Sequence, residues 1–529
     1  MAMGKLSVRT AGGFRPRRSV GPILLVYLLA VLWTFSVTNG GHSLPYDAFR
    51  DTAWSLNMLE GEIWSDPSIL GAPWWYSPAG PALMASTAAI SGQETPYVHA
   101  QSSLWLNPLI LTIFFILMWR TADFPTAASA LPLLLFGSLW WMTHIAAAMP
   151  SIQGEVPALL SLLSWSWCVE KLLAGEKRSR TIVLHGVMTG LGLAVTAWWH
   201  PVCALVVTGA LGFHVLALGL SRNAQWRRLG LMLGSTAISA LLFAAPLLVH
   251  ILTMVRRNPV PFRFVAPEMS NPAFAIGSST PAVGFLAIIG LILTLRDWTR
   301  LGWLPGFLAI ALIGQAPAYL SWWGRLDLPC LVPHEFQWQG QLAIAALAAI
   351  GLVNLIRFVF RYFGKFPGSR FLPTVVGVFL LIGSLAPAFS YLPFAEAYLA
   401  DLDGIIAIRQ EIVDWIKNST DINDVIACPA PEAYMLVGGL TGRKCTALPA
   451  GHTNPSVDAS LRLTLLSTLQ TTPDEQIFLQ TAQRLKVHYV LVTLNSAEAI
   501  GFHRRLKEWP RTRQVFSSRR GRSFVFEVL

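Results

Sequence analysis

The chain contains about eleven apolar windows, each long enough to cross roughly 30 Å of hydrocarbon as a helix. Its mean hydropathy is +0.51, 53% of its residues are hydrophobic and only 13% are charged. A soluble domain cannot keep so much apolar surface from water, so the composition predicts a polytopic membrane protein. The windows lie near residues 20–38, 99–119, 124–142, 155–173, 181–199, 201–220, 229–252, 276–295, 301–320, 340–357 and 371–390.

Basic residues are distributed unevenly between the two ends of these windows. With the N-terminus inside, nineteen Lys and Arg residues fall in cytoplasmic segments, and only five fall in the opposite loops: Arg50, Arg256, Arg257, Arg263 and Arg325. Lys and Arg accumulate on the cytoplasmic side. We therefore expect an odd number of spans, with the first loop and the C-terminal region outside. The net charge of +11 then reflects topology, and without a basic groove interleaved with aromatic residues it does not indicate nucleic-acid binding.

The pattern divides the chain into three parts. Residues 1–19 form a cytoplasmic leader, and the long apolar core that follows, without a small-residue cleavage pattern, favours an uncleaved first span. Residues 20–390 form the transmembrane module, with a first outer loop at 40–98. Residues 391–529 mix helix-like stretches with short β-branched runs and end in a hairpin expected at Arg520-Gly521. The predicted fold is a membrane all-α bundle of about 11 transmembrane helices with a C-terminal extracytoplasmic α/β domain.

The C-terminal region also bears on cofactors. It contains no Gly-rich nucleotide loop and no metal-finger spacing, so we expect no nucleotide or redox cofactor. Cys428 and Cys445 are equally compatible with a disulfide and with two separate buried thiols, because spacing does not establish the required geometry.

Carboxylates are concentrated between the first two windows. Six of the fourteen acids before residue 390 lie there, and Arg50 is the only basic residue among them; the acids are Asp47, Asp51, Glu60, Glu62, Asp66 and Glu94. Asp47 directly follows the first span, where a carboxylate can accept a proton from a hydroxyl group. Residue type alone favours a helix N-cap at Asp47 or Asp51. The acid cluster and the aromatic run Pro73–Pro78, which contains Tyr76, favour a reaction centre over a helix cap.

Glu155 is the only acid in the next outer loop, and it opens a span. A carboxylate in this position is costly without a partner. Together with Asp47 it could hold Mg²⁺ or Mn²⁺, which prefer hard oxygen ligands. An N-terminal helix acid, followed by Pro157 in the first turn, accounts for Glu155 equally well.

Outer-side cations and histidines are candidates for binding a phosphate group. Guanidinium groups bind phosphate through paired hydrogen bonds, although any single Arg is as readily explained by a solvated salt bridge. Histidine can relay protons or bind phosphate, but a lone interfacial His more often makes a local hydrogen bond. The candidates are Arg256, Arg257, Arg263, Arg325, His334 and His200.

The stretch YDAFRDTAWSLNMLEGEIWSDPSILGAPWWYSPAGP resembles the first outer loop of the GT-C superfamily, integral-membrane glycosyltransferases that use polyprenyl-phosphate sugars. The resemblance rests on Asp47, the amphipathic segment after it, Gly61 to Pro67, and Trp75, Tyr76 and Pro78. It implies a catalytic Asp47, with Glu155 as the second acid. Two departures stand out: the Asp-x-Asp form is absent, and His334-Glu335-Phe336 replaces the basic residue expected before the Ala-rich span.

The hypothesis is therefore inverting transfer of a sugar from a polyprenyl-phosphate donor to the hydroxyl of a glycan, glycolipid or protein, at the outer face of a bacterial inner membrane. The Arg and His candidates would bind the lipid phosphate, and Asp51, Glu335 and Tyr76 would face the acceptor. A lipid-linked glycan ligase or polymerase is an alternative. A transporter is another, but carriers place ionisable residues in mid-span and often show internal repeats, which this chain lacks. A non-catalytic assembly or sensor protein would leave the acidic loop without a purpose.

Overall fold

The computed structural model describes residues 16–138, 141, 145, 148–175, 178–221, 225–257, 280–322, 333–363, 399–449, 452–454 and 456–529. These residues form two compact units. The first comprises the described parts of Met1–Gly40, Ser103–His250 and Phe262–Tyr398. The second unit comprises the described parts of Gly41–Ser102, Ile251–Pro261 and Leu399–Leu529. The first outer loop therefore belongs to the same unit as the C-terminal region. Each unit is described by itself below.

Ten of the eleven predicted windows coincide with apolar helices. Seven helices in the described part of the chain are long and apolar enough to cross a membrane: Val20–Val37, Thr95–Thr121, Pro150–Leu173, Ser179–Trp199, Pro201–Gly219, Trp226–Thr253 and Glu335–Tyr362. Three shorter apolar helices are Phe124–Gly137, Pro281–Arg296 and Trp303–Pro317. The window at 371–390 lies outside the described residues, as does the predicted domain boundary at 390, so the count of eleven and the division into domains stay predictions.

Proline and capping residues set where several of these helices begin. The helix Phe124–Gly137 has Pro in its first turn, and the Asp123 carboxylate accepts a hydrogen bond from the Thr126 amide at 2.9 Å. The helix Pro281–Arg296 begins in the same way, with the Thr280 hydroxyl accepting from the Val283 amide at 3.3 Å. Both arrangements satisfy a backbone donor that the first helical turn leaves unpaired.

Glycines bring two helices of the first unit into close packing. A Cβ atom at Gly290 would lie 1.8 Å from the Leu347 carbonyl oxygen, and one at Gly351 would lie 2.1 Å from the Leu286 carbonyl oxygen. The helices Pro281–Arg296 and Pro333–Phe363 therefore approach backbone to backbone. Small residues at such crossings are typical of helix association in membranes, because lipid supplies no hydrophobic force between helices.

The second unit is built on a five-stranded sheet. Its strands are β3 (Val425–Ala427), β4 (Lys444–Cys445), β5 (Tyr489–Thr493), β6 (Thr512–Ser517) and β7 (Ser523–Val528), and their order across the sheet is β4-β3-β5-β7-β6. Strands β3, β4 and β5 are parallel, whereas β7 runs antiparallel to β5 and to β6. The strands are connected by a π-helix at Ala433–Leu440 and by five helices: Leu402–Ser419, Ala430–Glu432, Ala459–Thr471, Glu475–Leu485 and Ala497–Glu508. Leu469, Phe478, Leu506 and Phe526 lie in the buried core. The predicted α/β organisation of this region is confirmed.

The final strands form the predicted hairpin. Its turn contains Arg520 and Gly521, and Gly521 has φ +61°, a left-handed conformation that favours glycine. The Gly521 amide donates to the Ser518 carbonyl at 2.8 Å. Cys428 and Cys445, by contrast, are two buried free thiols.

The first outer loop adds its own elements to the second unit. A short strand β1 (Ser43–Pro45) pairs antiparallel with β2 (Leu399–Asp401). The helix Ala48–Leu59 follows, and the helix Ala79–Ser91 packs against it. A Cβ atom at Gly439 of the π-helix would lie 2.6 Å from the Phe49 ring, so this glycine permits the close packing of the π-helix on the helix Ala48–Leu59.

Candidate functional site

Asp47 occupies the residue before the helix Ala48–Leu59 but does not cap it. Its backbone is helical, with φ −62° and ψ −27°, and its side chain makes no capping hydrogen bond. An N-cap residue normally has an extended backbone, and its side-chain oxygen accepts from an amide in the first turn. The capping interpretation therefore fails for Asp47.

The Asp47 carboxylate meets a histidine from the C-terminal region. His452 Nε2 lies 3.4 Å from Asp47 Oδ1, with the two side chains 18% and 33% exposed. The Tyr434 hydroxyl donates to the Asp47 backbone oxygen at 2.9 Å. The rings of Tyr434 and His452 lie 4.4 Å apart, and that of Tyr46 lies 4.8 Å from Tyr434. A partly exposed carboxylate that lies beside an imidazole and near tyrosine rings can accept and hold a proton. We call Asp47, His452, Tyr434 and Tyr46 the Asp47 cluster.

Arg50 and Asp51 lie in the first turn of the same helix. Arg50 Nε donates to Asp51 Oδ1 at 3.2 Å, and its guanidinium lies 3.9 Å from the centre of the Tyr76 ring. Burial opposes the charged form of Arg50, but the Asp51 carboxylate and the neighbouring tyrosines outweigh it and raise its pKa well above the ordinary value. Asp51 is fully buried. Two predicted acceptor residues, Asp51 and Tyr76, are thus brought together by an arginine that holds both.

The remaining acids of the loop have structural partners. The buried Asp66 carboxylate accepts from the amides of Ser68 and Ile69, each at 2.8 Å, and from Asn454 Nδ2 at 3.0 Å. Burial nevertheless raises the pKa of Asp66. Glu60 pairs with Arg443 at 2.9 Å. These acids stabilise the fold of the loop.

A buried lysine ties the loop to β4. Lys444 is 1% exposed, and its Nζ donates to Asn57 Oδ1 and to the Asp66 carbonyl, each at 2.8 Å. Asn57 in turn donates to the Gly442 carbonyl at 2.8 Å. Burial lowers the pKa of Lys444. The helix that carries Asp47 is therefore held in place by the C-terminal region.

Glu155 lies in a second cluster, within the first unit. It is the first residue of the helix Glu155–Leu173 and is 1% exposed. Gln339 Nε2 donates to Glu155 Oε1, and the Cys203 thiol lies 3.7 Å from the same oxygen. His200 Nδ1 lies 3.4 Å from Cys203 Sγ, and His200 Nε2 lies 3.3 Å from Glu335 Oε1. Among the described residues, Glu155 Oε2 has no hydrogen-bond partner. We call these five residues the Glu155 cluster.

The predicted phosphate ligands are located only in part. Arg256 is exposed near the end of the helix Trp226–Arg257, and Arg257 is its last residue. His334 lies in the first turn of the helix Pro333–Phe363. Arg263 and Arg325 lie outside the described residues. His200 belongs to the Glu155 cluster, where its Nε2 faces Glu335 Oε1.

The structure leaves metal binding as a prediction. Within the described residues, no group of three or more His, Cys, Asp or Glu side chains is arranged to hold a metal ion. Asp47 and Glu155 belong to different units. Their roles, and a cation shared between them, stay predictions.

Five residues of the two clusters were missed by sequence reasoning, and one of them, Tyr46, directly precedes Asp47. His452 and Tyr434 are distant in sequence from Asp47, and Cys203 and Gln339 have no charge that would distinguish them in an apolar span. The only signal for His452 was its position in PAGHTNP, a turn-rich segment of a region predicted to lie on the same side as Asp47. No signal marked the other three.

No protein-family model and no curated protein matches the chain. Its fold is similar to that of three solved enzymes. The oligosaccharyltransferase of Archaeoglobus fulgidus has a TM-score of 0.58 at 14% identity, over 89% of this chain and 69% of that one. ArnT of Cupriavidus metallidurans, solved with undecaprenyl phosphate, has a TM-score of 0.55 at 15% identity, over 96% of this chain and 98% of that one.

The third solved enzyme is the arabinofuranosyltransferase AftD from Mycobacteria, with a TM-score of 0.63 at 15% identity, over 98% of this chain and 40% of that one. The Archaeoglobus enzyme has also been solved with Zn and sulfate. At these identities the likeness establishes the fold, and it agrees with the first-loop resemblance and the apolar helices. The chain is an integral membrane protein with the fold of the GT-C glycosyltransferases.

Proposed function

We propose that this protein is an inverting glycosyltransferase that moves a sugar from a polyprenyl-phosphate donor to an acceptor hydroxyl on the outer face of the membrane. The observation that carries the proposal is the Asp47 carboxylate, which starts a helix without capping it and lies beside an imidazole. The GT-C fold supports the same chemistry, since the solved neighbours include ArnT with undecaprenyl phosphate and the archaeal enzyme with dolichol-phosphate. A fold hosts many functions, so the site carries the argument.

In the proposed reaction, Asp47 accepts the proton of the acceptor hydroxyl while the hydroxyl oxygen attacks the anomeric carbon. The bond between that carbon and the phosphate oxygen breaks, and the lipid phosphate leaves with the electron pair. A single displacement inverts the anomeric configuration. The acceptor is a glycan, a glycolipid or a protein. We place Tyr76 at its approach, with the buried Asp51 holding Arg50 against the Tyr76 ring.

The departing phosphate requires positive charge. We assign this role to Arg256, Arg257, Arg263, Arg325 and His334, and we place His200 and Glu335 in support of Glu155. The buried Oε2 of Glu155, without a hydrogen-bond partner among the described residues, is an oxygen that suits a divalent cation. When bound there, Mg²⁺ or Mn²⁺ would neutralise charge on the phosphate.

The decisive experiment uses the purified protein and a panel of radiolabelled polyprenyl-phosphate sugars, with and without a chelator. Asp47→Asn should lower transfer by about 10²- to 10⁴-fold, the usual contribution of a general base. The matched control is Glu94→Gln, an exposed acid of the same loop. Full transfer by well-folded Asp47→Asn would overturn the assignment.

A lipid-linked glycan ligase is the second candidate, because several of the solved neighbours are oligosaccharyltransferases. Including donors with a single sugar and donors with an oligosaccharide in the panel separates the two. Solute uptake into vesicles without transfer from any donor would instead favour a transporter.

A further inference from the structure

We infer that His452 is the positioning residue of Asp47: its imidazole donates Nε2–H to the carboxylate and fixes the orientation in which Asp47 meets the acceptor hydroxyl. The reaction part of this inference rests on the proposed function. The contact itself does not, and it can be tested without any transfer assay.

Contacts of both its backbone and its ring hold His452 in place. Its amide donates to the Pro449 carbonyl at 2.9 Å, and its ring lies on that of Tyr434. Two residues further on, Asn454 Nδ2 donates to Asp66 Oδ2 at 3.0 Å and to the Pro73 carbonyl at 2.7 Å. This turn is therefore anchored to the first outer loop itself, so the imidazole and the carboxylate are positioned by the same loop.

The hydrogen bonds of the ring determine its tautomer. His452 Nδ1 is buried and has no partner among the described residues. A proton on Nδ1 would leave a buried donor unsatisfied, which costs about 1–3 kcal/mol. The neutral ring therefore carries its hydrogen on Nε2, the nitrogen that faces Asp47 Oδ1 at 3.4 Å. The two groups then form a donor and acceptor pair.

The charges around the ring keep it neutral. Burial lowers the pKa of His452; Asp47 raises it and Arg50 lowers it, and the result lies below the ordinary value. The other titratable groups packed around the pair are Tyr46, Tyr434 and Asp51.

Two substitutions separate the hydrogen bond from the ring. His452→Gln keeps an N–H donor but does not titrate, whereas His452→Phe keeps the aromatic contact with Tyr434 but has no donor. We expect His452→Phe to lower kcat about 10- to 100-fold with little change in KM, the range for a lost hydrogen bond to a charged group. His452→Gln should retain most of the activity, because it restores the donor to Asp47. Equal activity in both variants would overturn the inference.

A second measurement needs no substrate. Diethyl pyrocarbonate modifies imidazole nitrogens, and mass spectrometry reports the modification rate of each histidine in the full chain at one fixed pH. In Asp47→Ala the rate at His452 should rise, because the carboxylate that faces Nε2 is gone. His503, which packs against Phe524 and Phe526, is the internal control. An unchanged rate at His452 would overturn the contact even if Asp47→Ala abolishes transfer.

Discussion

Asp47 and Glu155 are carboxylates in similar sequence positions, each at the start of a helix and after a turn predicted to lie outside, yet their surroundings differ. Asp47 is one-third exposed and faces a titratable imidazole. Glu155 is 1% exposed, and its hydrogen-bond partners are a neutral amide and a thiol. The imidazole comes from the far end of the chain, whereas the amide and the thiol come from neighbouring apolar helices.

This difference separates two kinds of chemistry. A group that exchanges protons needs access to its substrate and a partner that responds to its charge; Asp47 is partly exposed and faces an imidazole. A buried carboxylate among neutral partners acts through its position and its field. We therefore propose proton transfer for Asp47 and electrostatic organisation of the donor phosphate for Glu155. Three substitutions, from the largest expected effect to the smallest, test this assignment.

Glu155→Gln should lower transfer by about 10²-fold, toward the lower end of the loss expected for Asp47→Asn. The amide has the shape of the acid and can still accept from Gln339, so charge is the main change. Any sensitivity of transfer to a chelator should disappear in the same variant. Glu170→Gln is the control, since that acid is exposed at the other end of the same helix. Wild-type transfer by Glu155→Gln would leave Asp47 as the one functional carboxylate of the pair.

Lys444→Met should destabilise the second unit by about 1–3 kcal/mol, because two buried acceptors, Asn57 Oδ1 and the Asp66 carbonyl, would lose their donor. We expect a lower thermal unfolding midpoint and faster proteolysis of the first outer loop. Lys507→Met, at an exposed lysine, is the matched control. If both variants unfold alike, the buried lysine is not what stabilises the loop that carries Asp47.

Arg50→Lys tests the smallest effect. Lysine keeps the charge but loses the planar group that lies over Tyr76 and the geometry of the Asp51 contact. The expected loss of stability is about 0.5–2 kcal/mol, the range for a cation over an aromatic ring. Transfer should change less than for either carboxylate variant, with exposed Arg504→Lys as the control. A loss of transfer as large as that of Asp47→Asn would place Arg50 in the chemistry instead.

Features that depend on residues close together in the sequence could be predicted from it. The apolar windows predicted ten helices, since length and hydropathy decide whether a segment can cross a membrane. The hairpin at Arg520-Gly521 was marked by its glycine and by the β-branched and aromatic residues beside it. Asp47 was singled out by its position after the first span, and the structure removed the capping alternative.

Contacts between residues that are far apart in the sequence could not be predicted. The contact between Tyr434 and Asp47 spans 387 residues, and no periodicity links the two positions. Lys444 looked like an ordinary basic residue of the C-terminal region, and only the fold shows that it is buried against Asn57. Cys203 and Gln339 are neutral, so charge counting along the spans did not find the partners of Glu155.

The pairing of β1 with β2 has a consequence for biosynthesis. Leu44 in β1 is opposite Ala400 in β2, so one strand is synthesised before the long apolar helices and the other only after them. Chains fold as they emerge, N-terminal segments first. Asp47 follows β1 directly, and it can meet His452 only after translation has passed that histidine. We therefore expect a nascent chain to insert its helices before the Asp47 cluster is assembled.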